Sequence, residues 1–121
     1  MKNLFPVLFL IFISGCLFAD KKPVFYFFHS ENCPHCIVAK PFIKSLEEKY
    51  PEVEFKNLEV SRNLDAKELY MTKIEELKIG RGGVPLFVLE KDYVIGFRKG
   101  SHEKKIEKMI EELLKKFKNK K

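Results

Sequence analysis

Two kinds of hydrophobic spacing divide the chain. Val24-Phe25-Tyr26-Phe27-Phe28-His29 is an apolar run closed by a histidine, the pattern of a strand covered on both faces. From Pro34 to about Tyr50 the spacing becomes helical, with Ile37, Ile43, Leu46 and Tyr50 among the apolar positions and Pro51 closing the segment. Val53 to Val60 returns to a strand pattern through Val53, Phe55 and Leu58. Asn63 is the expected cap of a helix from about Leu64 to Leu77, whose Leu69, Tyr70, Ile74 and Leu77 share a face. Gly80-Arg81-Gly82-Gly83 reads as a flexible connector. Short strands follow at Val84 to Leu89 and Tyr93 to Phe97, joined by a Glu90-Lys91-Asp92 turn. Ser101 is the expected cap of a last helix that carries Ile106, Met109, Ile110, Leu113, Leu114 and Phe117 on one face. The order is β-α-β-α-β-β-α. Right-handed crossovers predict an α/β fold with a mixed four-stranded sheet and helices on both faces.

The first twenty residues belong to neither pattern. Lys2 precedes an apolar stretch from Leu4 to Ala19 that is sixteen residues long. That is short for a bilayer-spanning helix of about 20 and fits a signal peptide. Ile13-Ser14-Gly15-Cys16 resembles the lipobox of bacterial lipoproteins, where cleavage precedes the cysteine and the cysteine is acylated. A cut after Ala19 would place bulky Leu17 where a small residue is preferred. The expectation is a signal peptide over residues 1–15, and a linker and one domain over 16–121. Localisation would be the periplasm or cell envelope, with a lipid anchor at Cys16. Plain secretion and an uncleaved anchor are the competing outcomes.

Composition changes this picture little. In 121 residues, 45% apolar and 33% charged, there is room for one core; twelve Phe and no Trp point to one filled by phenyl rings. The formal charge of +6 comes from lysines concentrated between Lys104 and Lys121, interleaved with glutamates as on a solvated helix face. No phosphate loop, zinc-finger spacing or basic-aromatic strand motif is present, so nucleic acid is not an expected partner.

The cysteines carry the chemistry. Three is an odd count; with Cys16 assigned to lipid, Cys33 and Cys36 remain as a pair. So small a loop hardly constrains the unfolded chain, so the pair must act through reactivity rather than as a staple. Disulfide exchange needs one thiolate to attack and a neighbouring thiol to resolve the mixed disulfide. Cys33 falls at the start of a helix, where unpaired N–H groups and the dipole favour a thiolate, and Pro34 suits the first helical position. His35 adds a donor or a positive charge near Cys33, and Cys36 lies one turn further in.

Cys33-Pro34-His35-Cys36, Pro41 eight residues after Cys33, and Val84-Pro85 opening a strand together resemble the thioredoxin superfamily. The dipeptide between the cysteines, and a Val before the later proline, are like those of DsbA-type periplasmic oxidants. The resemblance covers about Pro23 to Phe117. It implies a thioredoxin fold with a redox-active Cys33–Cys36 disulfide and no other cofactor. It further implies a cis Val84–Pro85 bond facing the disulfide and presenting backbone groups to an extended substrate. The expected partners are protein thiols and disulfides together with a membrane redox partner, and the expected state is a monomer. Two positions depart from the pattern: Asn32 precedes Cys33 where thioredoxin has Trp, and Phe27 stands where the family buries an acid. The DsbA helical insertion is also absent. Direction of electron flow is therefore left open among oxidase, reductase and isomerase, with Glu31 or water assisting Cys36.

Other readings compete. Two thiolates with His29 or His35 could carry a soft metal such as Cu(I), whereas a zinc site lacks further ligands at the usual spacing. His29 reads as packing or a turn hydrogen bond, His102 as surface, and Phe87 and Phe97 as core.

Overall fold

The computed structural model of the protein describes residues 21–120. The Cys16 anchor and the signal peptide lie outside them. Four strands, β1 (Val24–His29), β2 (Glu54–Glu59), β3 (Leu86–Leu89) and β4 (Asp92–Ile95), alternate with α1 (Pro34–Lys49), α2 (Leu64–Glu76) and α3 (Ser101–Asn119) in the expected order. The sheet runs β2-β1-β3-β4, with β1 parallel to β2 and the other neighbours antiparallel.

The unbroken apolar run is explained by what lies on each side of β1. Phe25 and Phe27 point into a core built with Ala39, Ile43 and Leu46 of α1 and Ile106, Met109 and Ile110 of α3. Phe28 points the other way, into a second core with Leu86, Val88 and Ile79 against Leu69, Tyr70 and Ile74 of α2. Phe27 stacks on Phe87 across the β1–β3 pairing with centroids 5.3 Å apart. Such rings each bury roughly 150–250 Å² of surface, and they take the place of a tryptophan.

Several elements differ in detail from the sequence expectation. The buried stripe of α1 is Cys36, Ala39, Ile43 and Leu46, at helical spacing. Ile37 lies about 100° off that stripe and is 58% exposed, as is much of Val38. β3 begins at Leu86 rather than Val84, and β4 ends at Ile95 rather than Phe97. Leu89 pairs with Asp92, so the hairpin turn is Glu90-Lys91 alone. The last helix is capped by Gly100, one residue earlier than expected. The Glu103 carboxylate accepts from the Gly100 N–H at 2.9 Å, and Gly100 has φ +85°, a conformation that favours glycine. Asn63 caps α2 as expected, its side chain accepting from Ala66 N–H at 3.0 Å.

Candidate active site

Register places the chemistry at one end of the sheet. β1 runs towards His29, its parallel partner β2 ends beside it at Glu59, and antiparallel β3 starts opposite Phe28 at Leu86. The Ser30–Asn32 turn, the start of α1, the segment after β2 and the Val84–Pro85 loop therefore share the carboxyl end of β1, where open α/β sheets hold their sites.

Cys33 is the N-cap of α1, with extended φ −108° and ψ 106°, and Pro34 occupies the first turn. The Cys33 sulfur accepts from the Cys36 N–H at 3.1 Å, satisfying one of the donors that a helix start leaves unpaired. Ile37 N–H donates to the Cys33 carbonyl at 3.1 Å, the first bond of the helical ladder. No acidic side chain stands in the first turn to offset its positive end. Cys33 and Cys36 are joined by a disulfide, with Cα atoms 5.2 Å apart. Cys36 is fully buried; Cys33 keeps only 8% of its surface, less than an exposed nucleophile would suggest. His35 is exposed and makes no hydrogen bond or ion pair among the described residues. Pro41 lies inside α1, where it withholds a donor from the ladder.

Around the motif the side chains are aromatic or tied up in pairs. Phe27 is packed between Phe87 and the His29 ring, whose centroid is 4.9 Å away. His29 packs as expected, but its Nδ1 is buried without a hydrogen-bond partner. Burial lowers its pKa, nearby Lys40 lowers it further, and Glu59 acts the other way. The Glu31 carboxylate pairs with Arg62 at 2.8 Å. Glu59 binds the same turn from below. Its carboxylate accepts from the N–H of Glu31 at 2.8 Å and of Arg62 at 2.7 Å, and from the Ser61 hydroxyl. The Ser61 hydroxyl chiefly, and then the backbone N–H donors, pull the Glu59 pKa down to about 2 against the opposing effect of burial.

The Val84–Pro85 peptide bond is cis, and Pro85 is buried while Val84 is half-exposed. The Pro85 carbonyl is already used, accepting from Gly96 N–H at 2.8 Å. Val84 itself makes no backbone hydrogen bond among the described residues. The Gly-rich connector before it is anchored rather than loose. The Tyr70 hydroxyl accepts from Gly83 N–H at 2.7 Å and lies 3.1 Å from the Gly83 carbonyl, to which it donates. His102 is likewise more than surface, since its Nδ1 accepts from Arg98 N–H at 3.1 Å. Among the described residues no three His, Cys, Asp or Glu side chains converge as a metal site would require, and no helix is long and apolar enough to cross a membrane.

Sequence reasoning missed Tyr70 and Glu59. Tyr70 was visible only as one more apolar position on a helix, and Glu59 only as a charged strand end.

No family model and no curated protein matches the chain. Solved structures do. Mitochondrial thioredoxin 3 of Saccharomyces cerevisiae in its oxidised form superposes with a TM-score of 0.57 at 22% identity, over 77% of this chain and 80% of that one. Fasciola hepatica thioredoxin gives 0.58 at 24%, over 75% and 80%. Thioredoxin f2, in a complex with ferredoxin:thioredoxin reductase, gives 0.52 at 28%, over 76% and 77%. The fold is the thioredoxin fold. With the Cys33–Cys36 disulfide at the start of α1, fold and site define a thioredoxin-like oxidoreductase whose redox group is that disulfide.

Proposed function

We propose that the protein is an exported thiol–disulfide oxidoreductase acting on protein thiols and disulfides, with Cys33 as the exchanging sulfur and Cys36 as the resolving one. The observation that carries this is the asymmetry of the pair. Cys33 caps the helix and retains some surface, whereas Cys36 is sealed beneath it. In the oxidising direction a substrate thiolate attacks the Cys33 sulfur, the Cys33–Cys36 bond breaks, and Cys36 leaves with the electron pair and takes up a proton. A second substrate thiol, having lost its proton, attacks the substrate sulfur of the mixed disulfide, and Cys33 leaves as a thiolate. Two electrons pass from substrate to protein, and the reverse sequence reduces a substrate disulfide.

The helix N-terminus favours the Cys33 thiolate, which stabilises the reduced protein and makes the disulfide an oxidant. The Pro34-His35 dipeptide, like that of DsbA-type oxidants, supports the same direction. Oxidation of substrates leaves the pair reduced, so a membrane redox partner must reset it; that a fold of this kind docks a redox partner is seen in thioredoxin f2, in complex with ferredoxin:thioredoxin reductase. The lipobox-like Ile13-Ser14-Gly15-Cys16 supports an envelope location with Cys16 acylated.

Insulin-reduction and RNase-oxidation assays test the reaction. Cys33→Ser should abolish both activities; unchanged rates, or a wild type with neither, would sink the reading. The potential of the pair sets the direction: near about −120 mV marks an oxidant and near about −270 mV a reductase. In the same preparations Cys16→Ser should move the protein out of the membrane fraction, and equal partitioning would rule out the anchor.

A further inference from the structure

Val84 lies between two pins. On one side the Tyr70 hydroxyl grips both backbone groups of Gly83; on the other the Pro85 carbonyl is held by Gly96 N–H. Between them Val84 is the residue whose N–H and carbonyl make no backbone hydrogen bond among the described residues. Tyr70 is itself fixed, its ring edge-on to Phe28 of β1 with centroids 5.5 Å apart. Phe28 in turn pairs with Leu86, two residues beyond Val84. A hydroxyl that accepts from a residue's N–H and donates to its carbonyl sets the rotation of both peptide groups flanking that residue, here including the one that carries the Val84 N–H. The connector is fitted to this grip: a Cβ on Gly82 would fall 2.7 Å from the Tyr70 hydroxyl oxygen.

We propose that Tyr70 is a positioning residue for substrate recognition. From the face of the sheet opposite α1 it holds the Gly82–Gly83 connector so that the backbone of Val84 is set to pair with an extended stretch of protein substrate. This rests on the exchange reaction proposed above. It separates two kinds of partner. A protein or peptide disulfide needs the strand-like pairing at Val84, whereas a small thiol without peptide groups, such as 2-mercaptoethanol, meets only the sulfur of Cys33. Tyr70 therefore acts on the first and not on the second.

Tyr70→Phe keeps the ring against Phe28 and deletes both hydrogen bonds. With insulin as substrate its KM should rise roughly tenfold, the scale of a hydrogen bond's net worth, with kcat within about twofold of wild type. The rate of exchange between the Cys33–Cys36 disulfide and 2-mercaptoethanol should not change. Gly82→Ala, which must displace the hydroxyl, should raise KM in the wild type. It should add little in the Tyr70→Phe background, where the new Cβ meets only the movable end of Ile74, Cδ1 at 3.3 Å, and the ring at 3.6 Å. An unchanged insulin KM in an active Tyr70→Phe protein would overturn the role of Tyr70 and leave the exchange reaction standing. Equal losses with insulin and 2-mercaptoethanol would overturn it too, by showing a general loosening of the site. A wild type without exchange of either kind would remove the reaction itself and the clamp with it.

Discussion

Glu59 accepts hydrogen bonds from two loops at once, from the turn that precedes Cys33 and from the segment that follows β2. Because the Ser61 hydroxyl first, and these N–H donors after it, favour the carboxylate, its pKa falls to about 2 from the ordinary 4.5. A group whose pKa is depressed by folding adds stability above its unfolded value and loses it as pH falls through the folded value. In Glu59→Gln the amide cannot reproduce these bonds. The wild type should unfold at higher denaturant than the variant by a constant margin between pH 7 and about pH 5, and the margin should close as pH 2 is approached. A gap that persists at pH 2 would show that the tether acts through packing and not through charge. Nothing in the sequence announced this arrangement, because Glu59 meets Glu31 across twenty-eight residues and only the β1–β2 register brings them together. The cysteine motif was legible for the opposite reason: its helix start, proline and spacing are all local. His29 lies between these cases. Its packing was foreseeable, but the unpartnered Nδ1 depends on which helix covers β1.

At the scale of elements, α2 closes with an unusual residue. Lys78 N–H donates to the Glu75 carbonyl and Ile79 N–H to that of Ile74, the paired bonds of a Schellman ending. The residue placed at the left-handed position is Lys78, with φ +54°, where glycine is usual. A side chain there costs on the order of 1 kcal/mol. Lys78→Gly should therefore stabilise the protein by about 1 kcal/mol, read as a higher urea midpoint at unchanged m. A loss of stability would mean that the lysine stem contributes packing the backbone argument omits. The existence of α2 was plain from Asn63 and its apolar spacing. Its end near Leu77 was plain too; what was not is the left-handed Lys78 that closes it, since no glycine marks the position. The cap of α3 misled in a similar way: Ser101 is the more usual cap by residue type, but the reach of Glu103 back to Gly100 selects the earlier position.

The molecule as a whole is a sheet between two unequal cores, and β1 belongs to both. Phe27 is 1% exposed at the centre of the larger one, stacked on Phe87. Phe27→Ala should cost about 3–5 kcal/mol in a denaturant titration, and a cost below about 1 kcal/mol would show that the site collapses around the loss. The layered plan was readable from the two-sided apolar run and the handedness of crossovers. The anchoring of the glycine connector was not, because it depends on a hydroxyl contributed from α2. The direction of β1 carries one more consequence. The strand enters at Val24 and, at about 3.3 Å per residue, carries the chain about 20 Å to His29, at the end of the sheet where Cys33 opens α1. An anchor at Cys16 would grip the body by its near pole, like a buoy moored from below. The reactive sulfur would then look away from the lipid, towards proteins arriving from the open compartment. The partner that resets the disulfide would have to reach up to it.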